Sequence, residues 1–236
     1  MQFFRRWQPP KIISFDLDDT LYDNVPVMQT AEHSVQQYIV DKFPETAAWD
    51  VSHWRQLRDK VSQSDPALAS DMTELRIRTL KHGLEQFGVV NAATHAHDIM
   101  DHFLLHRSNF EPPKESLELL QQLAERYELI ALSNGNVDTG KIGLSDYFSL
   151  IVQPGNGVRG KPLPDMFLKA QQRFPAVKPE EFLHVGDHPY SDVLGAQRHG
   201  WQSVWLTSGL GRPQHLSILP TVKIDHLAQL KSLLLW

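Results

Sequence analysis

The sequence contains no cysteine among its 236 residues. This absence excludes disulfide bonds, zinc–thiolate sites, iron–sulfur clusters and a cysteine nucleophile. Basic residues are also fewer than acidic ones. The 23 lysines and arginines and the 28 aspartates and glutamates together give a net charge of −5. Nucleic acids and anionic membrane surfaces bind proteins through a basic face. We therefore expect neither a nucleic acid nor a membrane as a partner.

Long apolar runs are missing as well. No segment approaches the roughly 18 consecutive apolar residues that indicate a membrane-spanning helix. Arg5 and Arg6 could begin a secretory signal, but Gln8 and Pro9 interrupt the apolar stretch of about 7–15 residues that would have to follow. The sequence therefore predicts a cytoplasmic protein.

The chain as a whole has the composition of an ordinary globular protein, with 41% hydrophobic and 22% charged residues. After residue 112, short and wholly apolar runs alternate with helical patterns. That order is typical of a parallel sheet with helices on both faces. The predicted strands are 12–15, 129–132, 148–152, 182–185 and 203–206. The predicted helices are 117–124, 166–174, 193–199 and 225–234.

Residues 22–112 have a different pattern. Convincing strands are lacking, and apolar residues recur at helical spacing in four stretches. Pro112 and Pro113 mark the end of this region, because proline disfavours a helix at and before its own position. We interpret the chain as an α/β core, residues 1–21 and 113–236, interrupted by an all-helical insert.

Four clusters of polar residues stand where a predicted strand ends or a predicted helix begins. Taken singly, each has an ordinary interpretation as an acidic turn, a polar turn or a solvated loop lysine. Because the carboxyl ends of parallel strands lie side by side, we expect the clusters to converge at one edge of the sheet. In chain order the clusters are Asp16, Asp18 and Thr20; Ser133 and Asn134; Lys161; and Gly186, Asp187, His188 and Asp192.

Together these groups point to phosphoryl chemistry. Asp16 and Asp18 are two residues apart, so in an extended chain they face the same way and need a cation or a base between them. Carboxylate and phosphate oxygens are the ligands that Mg²⁺ prefers. An aspartate can also attack phosphorus and form an aspartyl-phosphate. We therefore expect Mg²⁺ as the cofactor and a site that can hold phosphate oxygens.

The four clusters resemble the four motifs of the haloacid dehalogenase superfamily, in the same order and strand context. The resemblance covers nearly the whole core. It implies a Rossmann-like parallel sheet, with the helical insert in the position of a C1-type helical cap. The matching residues are Asp16, Asp18 and Thr20 for the first motif, Ser133 for the second, Lys161 for the third, and Gly186, Asp187 and Asp192 for the fourth.

The resemblance also implies how the aspartates would act. Asp16 would be the nucleophile. Asp18 would protonate the leaving oxygen and then, as a base, activate water. Asp16, Asp187 and the backbone carbonyl of Asp18 would hold Mg²⁺. Asp192 would support Lys161 or a metal-bound water.

The resemblance also implies which motif residues would bind the phosphate. Ser133, the backbone of Asn134 and Lys161 would hold the phosphoryl oxygens and offset their charge in the transition state. Thr20 would help to position the first loop. His188, next to Asp187, is a weaker candidate for contact with substrate or with a metal-bound water.

The acid at position 18 also distinguishes enzyme groups within the superfamily, because its dehalogenases have a similar motif but lack an acid at that position. Because phosphatases and phosphomutases have one, the resemblance favours phosphoryl chemistry, and a phosphatase in particular, over carbon–halogen cleavage. Three segments, 16–24, 133–136 and 182–188, are most similar to the bacterial phosphatases of FMN and of 5-amino-6-(5-phospho-D-ribitylamino)uracil. The resemblance thus implies FMN or a related ribityl or sugar phosphate as substrate. Two alternatives stay open: a sugar phosphomutase of the same superfamily and a non-catalytic binding module on this fold.

Overall fold

A computed structural model describes residues 1–65, 68 and 70–235. These residues fall into two compact units. One unit comprises Met1–Asn24, Glu111–Gly135 and Ile142–Trp236, and the other comprises Val25–Phe110 and Asn136–Lys141. None of the helices in the described part of the chain has both the length and the hydropathy that a membrane crossing needs.

The first unit is built on a seven-stranded sheet. Its strands stand in the order β1-β7-β6-β5-β2-β3-β4, and every neighbouring pair is parallel except the edge pair β1 and β7. The prediction of an α/β fold with a parallel sheet is therefore confirmed. The strands are β1 (Gln2–Phe3), β2 (Ile12–Phe15), β3 (Glu128–Leu132), β4 (Leu150–Val152), β5 (Phe182–Gly186), β6 (Gln202–Leu206) and β7 (Val222–Ile224).

Eight α-helices lie in the described residues. The first four, apart from the first residue of α1, belong to the second unit, and the last four belong to the first. They are α1 (Asn24–Lys42), α2 (Val51–Ser64), α3 (Met72–Gln86), α4 (Ala92–Arg107), α5 (Lys114–Ala124), α6 (Asp165–Arg173), α7 (Gly195–Arg198) and α8 (Gln229–Leu234).

The centre of the sheet explains why the polar clusters meet. Strands β2, β5 and β6 are buried along their whole length, as expected for strands covered on both faces. Phe15, at the end of β2, pairs with Ala131 on one side and Val185 on the other. The residues that follow these three positions therefore emerge at the same edge.

One predicted helix is shorter in the structure than the sequence analysis expected. The helix predicted at 193–199 is preceded by a wide helical turn, Pro189–Leu194, and only Gly195–Arg198 is α-helical. The side chain of His188 caps that turn, because its Nδ1 accepts hydrogen bonds from the backbone N–H groups of Tyr190 and Ser191. Apolar spacing carries no signal for such a side-chain cap.

The second unit is helical and has a core of its own. Apolar residues from all four helices pack together, including Val35 of α1, Trp54 of α2, Leu84 of α3 and Phe103 of α4. The segment Asn136–Lys141 also belongs to this unit, although the sequence analysis assigned it to the core.

Two hydrogen bonds account for the placement of that segment. The Asn136 amide donates to Thr73 Oγ1 at 3.0 Å, and the backbone N–H of Asp138 donates to Ser108 Oγ at 2.9 Å. Both acceptors are residues of the helical unit.

Gly83 of α3 lets Trp54 pack directly against the helix backbone. A Cβ at this position would stand 2.1 Å from a ring carbon of Trp54. Replacing Gly83 with Ala should therefore lower the free energy of unfolding by about 2 kcal/mol, since overpacking a core costs about 1–3 kcal/mol. In an exposed helix the same change would stabilise by about 1 kcal/mol.

Urea unfolding of Gly83→Ala tests this, with His82→Ala as the control because His82 is the exposed neighbour in the same helix. A Gly83→Ala protein as stable as the wild type would show that Trp54 can move aside without loss.

Candidate active site

Asp16 is the first residue after β2 and is buried. Its backbone N–H donates to the carbonyl of Val185 at 2.8 Å, which continues the pairing with β5 by one residue. Its Oδ1 accepts a hydrogen bond from Lys161 Nζ at 3.0 Å. Burial raises the pKa of Asp16 well above its ordinary value, and the nearby Lys161 ammonium only partly opposes this. A carboxylate held in this way is poised to receive a cation or to react.

Lys161 joins two carboxylates in the interior. Its ammonium is almost fully buried and lies 2.6 Å from Asp192 Oδ1 as well as 3.0 Å from Asp16. Burial alone would lower the pKa of Lys161, but the two carboxylates outweigh it and raise the value. Asp192 is also buried, yet its pair with Lys161 holds the pKa of Asp192 far below its usual range. The Lys161–Asp192 pair is thus ionised.

His184 completes this group and was not predicted from the sequence. It is fully buried in β5; its Nδ1 lies 2.8 Å from Ser14 Oγ, and its Nε2 lies 3.1 Å from Asp192 Oδ1. Burial and the neighbouring Lys161 lower the pKa of His184 to about 4, so the imidazole is neutral at pH 7. A histidine inside an otherwise apolar strand was the available signal for this residue.

Asp187 lies one residue beyond β5. Its Oδ2 accepts hydrogen bonds from the backbone N–H groups of Leu210 and Gly211, at 2.9 and 3.2 Å. Burial, together with the charges of Asp192 and Asp19, nevertheless raises the pKa of Asp187 to about 7. The site therefore holds more negative charge than its own residues offset.

That excess charge fits a divalent cation. One carboxylate oxygen from each of Asp16, Asp187 and Asp192 lies within 4.8 Å of the others. Both oxygens of Asp192 are already engaged, one by Lys161 and one by the backbone N–H of His188. Asp16 engages only Oδ1 and Asp187 only Oδ2 in hydrogen bonds within the described part of the chain. Their remaining oxygens suit a hard cation such as Mg²⁺.

Ser133 and Asn134 follow β3 and stand beside this group. Ser133 is buried, its backbone N–H donates to Val152, and its Oγ accepts from the N–H of Gly135 at 3.2 Å. The Asn134 side chain forms two hydrogen bonds with the backbone of Lys161, accepting from its N–H at 2.7 Å and donating to its carbonyl at 2.8 Å. Asn134 thus fixes the loop that carries the lysine.

The turn after Asp16 places two further motif residues. Asp18 is half-buried, and Tyr22 Oη donates to its Oδ1 at 2.7 Å. Asp19 adopts a left-handed backbone conformation with φ of 58°, which reverses the chain here. Thr20 is buried, and its hydroxyl has no hydrogen-bond partner among the described residues. Tyr22 thus orients the Asp18 carboxyl, and the Thr20 hydroxyl is available for a further hydrogen bond.

The similarity of the chain to known proteins agrees with this geometry. Residues 10–200 match the model of the haloacid dehalogenase-like hydrolase family. The chain belongs to the haloacid dehalogenase-like hydrolases. The predictions of this superfamily and of an enzyme, a hydrolase, are therefore confirmed.

Individual relatives in this hydrolase family cover most of the chain. It is 33% identical to the 5-amino-6-(5-phospho-D-ribitylamino)uracil phosphatase YigB of Escherichia coli, over 99% of this chain and all of that protein. It is 32% identical to the phosphoserine phosphatase of Thermus thermophilus, over 69% of this chain and 66% of that protein.

A solved structure also has closely similar architecture. It is named as a 2-haloacid dehalogenase from Pseudomonas syringae pv. Tomato, with 32% identity and a TM-score of 0.84 over 94% of this chain and 97% of that one. The names of these relatives thus include both phosphatases and a dehalogenase.

Proposed function

We propose that this phosphatase cleaves phosphomonoesters through a covalent aspartyl-phosphate on Asp16. The observation that carries the proposal is the buried Asp16 carboxylate, held by Lys161 and facing Asp187 with one oxygen uncommitted. That oxygen attacks phosphorus, and the bond between phosphorus and the leaving alcohol oxygen breaks. A nucleophile of this kind splits one difficult hydrolysis into two easier steps.

Asp18 supplies the proton transfers in both steps. Its carboxyl group protonates the leaving oxygen as the aspartyl-phosphate forms. The resulting carboxylate then takes a proton from water, and the hydroxide attacks phosphorus to release phosphate and regenerate Asp16. The hydrogen bond from Tyr22 fixes the orientation of Asp18 Oδ1.

Other residues of the site offset charge on the phosphoryl group. The Lys161 ammonium, the Ser133 hydroxyl and the backbone N–H of Asn134 are the donors available to its oxygens. Preorganised donors of this kind stabilise the transition state most when they are buried. Lys161 is held by its two carboxylates and by the Asn134 side chain, so it needs no rearrangement to act.

Asp16, Asp187 and the backbone carbonyl of Asp18 would hold Mg²⁺ in this proposal. When bound, it would neutralise carboxylate and phosphate charge and polarise the phosphoryl group. Asp192 is not assigned as a ligand, because both of its oxygens already accept hydrogen bonds.

The relatives support a small phosphorylated metabolite as substrate. YigB, which aligns over the full length of both chains, is named for a ribityl phosphate attached to a uracil ring. The other phosphatase relative is named for phosphoserine. We therefore infer FMN or a related ribityl or sugar phosphate as the substrate class.

A panel assay tests this function. Phosphate release is measured from FMN, simple sugar phosphates, phosphoserine and p-nitrophenyl phosphate, with Mg²⁺ and with excess EDTA. We expect release from the ribityl and sugar esters that falls by at least about 100-fold with EDTA. Isomerised sugar without free phosphate would instead indicate a phosphomutase. No turnover of any ester would favour a binding module.

A dehalogenase is the second candidate, since the similar Pseudomonas structure carries that name. Asp18 argues against it, because the dehalogenase pattern lacks an acid at this position. Chloride release from 2-chloropropionate distinguishes the two. Chloride without phosphate release from the panel would overturn the phosphatase proposal.

A further inference from the structure

A small cavity lies inside the helical unit, between α1, α2 and α3. Its volume is about 50 Å³, and its walls include three arginines and one glutamate together with apolar side chains. A single water needs only about 10–15 Å³ of such space, so the cavity has room for a small polyatomic ligand. The charged residues of its walls are Glu32, Arg55, Arg58 and Arg76.

The charges around this cavity do not balance. Glu32 is buried and pairs with Arg55. Arg58 pairs with its neighbour Asp59 at 3.1 Å. Arg76 has no hydrogen-bond or ion-pair partner among the described residues. One positive charge at the wall is therefore left without a counter-charge.

The environment of Arg76 fixes the orientation of its guanidinium. Its guanidinium carbon lies 3.9 Å from the ring centroid of Phe103, so one face of the group packs on the aromatic ring. Removal from solvent lowers the pKa of Arg76 to about 10, helped by nearby arginines and opposed only in part by the Glu32 carboxylate. Stacking on a ring orients the guanidinium but leaves its N–H edges without acceptors. Arg76 is only partly buried, so a ligand in the cavity can reach its N–H groups, and an oxyanion would supply both the acceptors and the counter-charge that the walls lack.

Two neutral groups of the cavity walls are also unsatisfied. The indole N–H of Trp54 and the amide oxygen of Gln36 are buried and have no hydrogen-bond partner among the described residues. The orientation of the Gln36 amide is set by its nitrogen, which donates to the carbonyl of Trp49 at 2.7 Å. The walls thus contain unused donors on Arg76 and Trp54 and one unused acceptor on Gln36.

We propose that this cavity binds a small oxyanion that carries its own hydroxyl group, of which inorganic phosphate is the simplest. The anionic oxygens accept from Arg76 and from the Trp54 indole, and the hydroxyl donates to Gln36. Charge-assisted hydrogen bonds to a planar guanidinium favour an oxyanion of this kind. The site shares no residue with the phosphoryl site around Asp16, so it is a second anion site on the same chain.

Calorimetric titration with sodium phosphate at constant ionic strength tests the proposal. The catalytic site also binds phosphate as its product, so the wild type is compared with Arg76→Met, which leaves that site unchanged. We expect one binding step to weaken by at least 10-fold in Arg76→Met. Arg78→Met is the matched control, since Arg78 lies on the same helix, is exposed, and already pairs with Glu74 and Asp65.

Sulfate separates the hydroxyl requirement from charge alone, because at neutral pH it has no hydroxyl to donate to Gln36. We expect the cavity to bind sulfate at least threefold more weakly than phosphate. Equal binding of both anions would overturn the assigned role of Gln36. Identical phosphate titrations for the wild type and Arg76→Met would overturn the site itself.

Hydrolysis of p-nitrophenyl phosphate checks that Arg76→Met is folded and catalytically intact. Unchanged activity together with the lost binding step supports a separate anion site. If Arg76→Met does not fold, Arg76→Gln takes its place, because it removes the charge and keeps a polar side chain, with an expected threefold or greater weakening. A phosphate titration of Arg76→Gln that matches the wild type would then decide against the proposal.

Discussion

Replacing Asp16 with Asn should abolish phosphate release, with a loss in kcat on the order of 10⁴-fold or more. The amide keeps the size of the carboxylate but cannot attack phosphorus, and removal of a nucleophile costs far more than removal of a single transition-state contact. The folded structure should survive the change. The Asn oxygen can still accept from Lys161 Nζ, and a neutral group suits a buried position that already raises the pKa of Asp16.

The measurement is steady-state phosphate release from the best substrate of the panel, with urea unfolding of the same protein. Asp146→Asn serves as the control, because Asp146 is an exposed aspartate of the same unit and lies outside the site. A retained activity above one hundredth of the wild-type value would remove Asp16 as the nucleophile. The reaction would then require direct attack of water on phosphorus.

Much of the candidate active site could be predicted, because several of its residues directly follow the ends of strands. Asp16 and Asp187 follow strands β2 and β5, which are parallel neighbours, so their convergence follows from topology alone. Lys161 had a weaker signal, its place just before a predicted helix together with the family motif, because it lies in a loop and reaches the site through its long side chain. The structure brings all three, with Asp192, into one buried group.

Other features of the site have no signature in residue types. The amides that hold Asp187 come from the backbone of Leu210 and Gly211, and any residue but proline offers such an N–H group. His184 stands out as a histidine in an otherwise apolar strand, but its role could not be predicted because its partners, Ser14 and Asp192, are distant in sequence. Long-range hydrogen bonds of this kind appear only once the chain is folded.

Asp192 has the second large expected effect, on stability as well as on activity. It is the most fully paired carboxylate of the site: Oδ1 accepts from Lys161 and His184, and Oδ2 accepts from the backbone N–H of His188. In Asp192→Asn one of these oxygens becomes an NH₂ group. Whichever way the amide turns, that NH₂ faces an N–H donor, either the His188 backbone or the Lys161 ammonium.

We therefore expect Asp192→Asn to lower the free energy of unfolding by about 3 kcal/mol, the usual cost of removing one partner from a buried ion pair. Activity should fall with it, because Lys161 loses the contact that holds it. Asp165→Asn is the matched control: it breaks the Arg159–Asp165 pair, in which the arginine side chain is 55% exposed. Exposed pairs contribute less than about 1 kcal/mol. Urea unfolding of both variants gives the comparison, and equal losses would mean that the buried network around Lys161 adds no more stability than a surface ion pair.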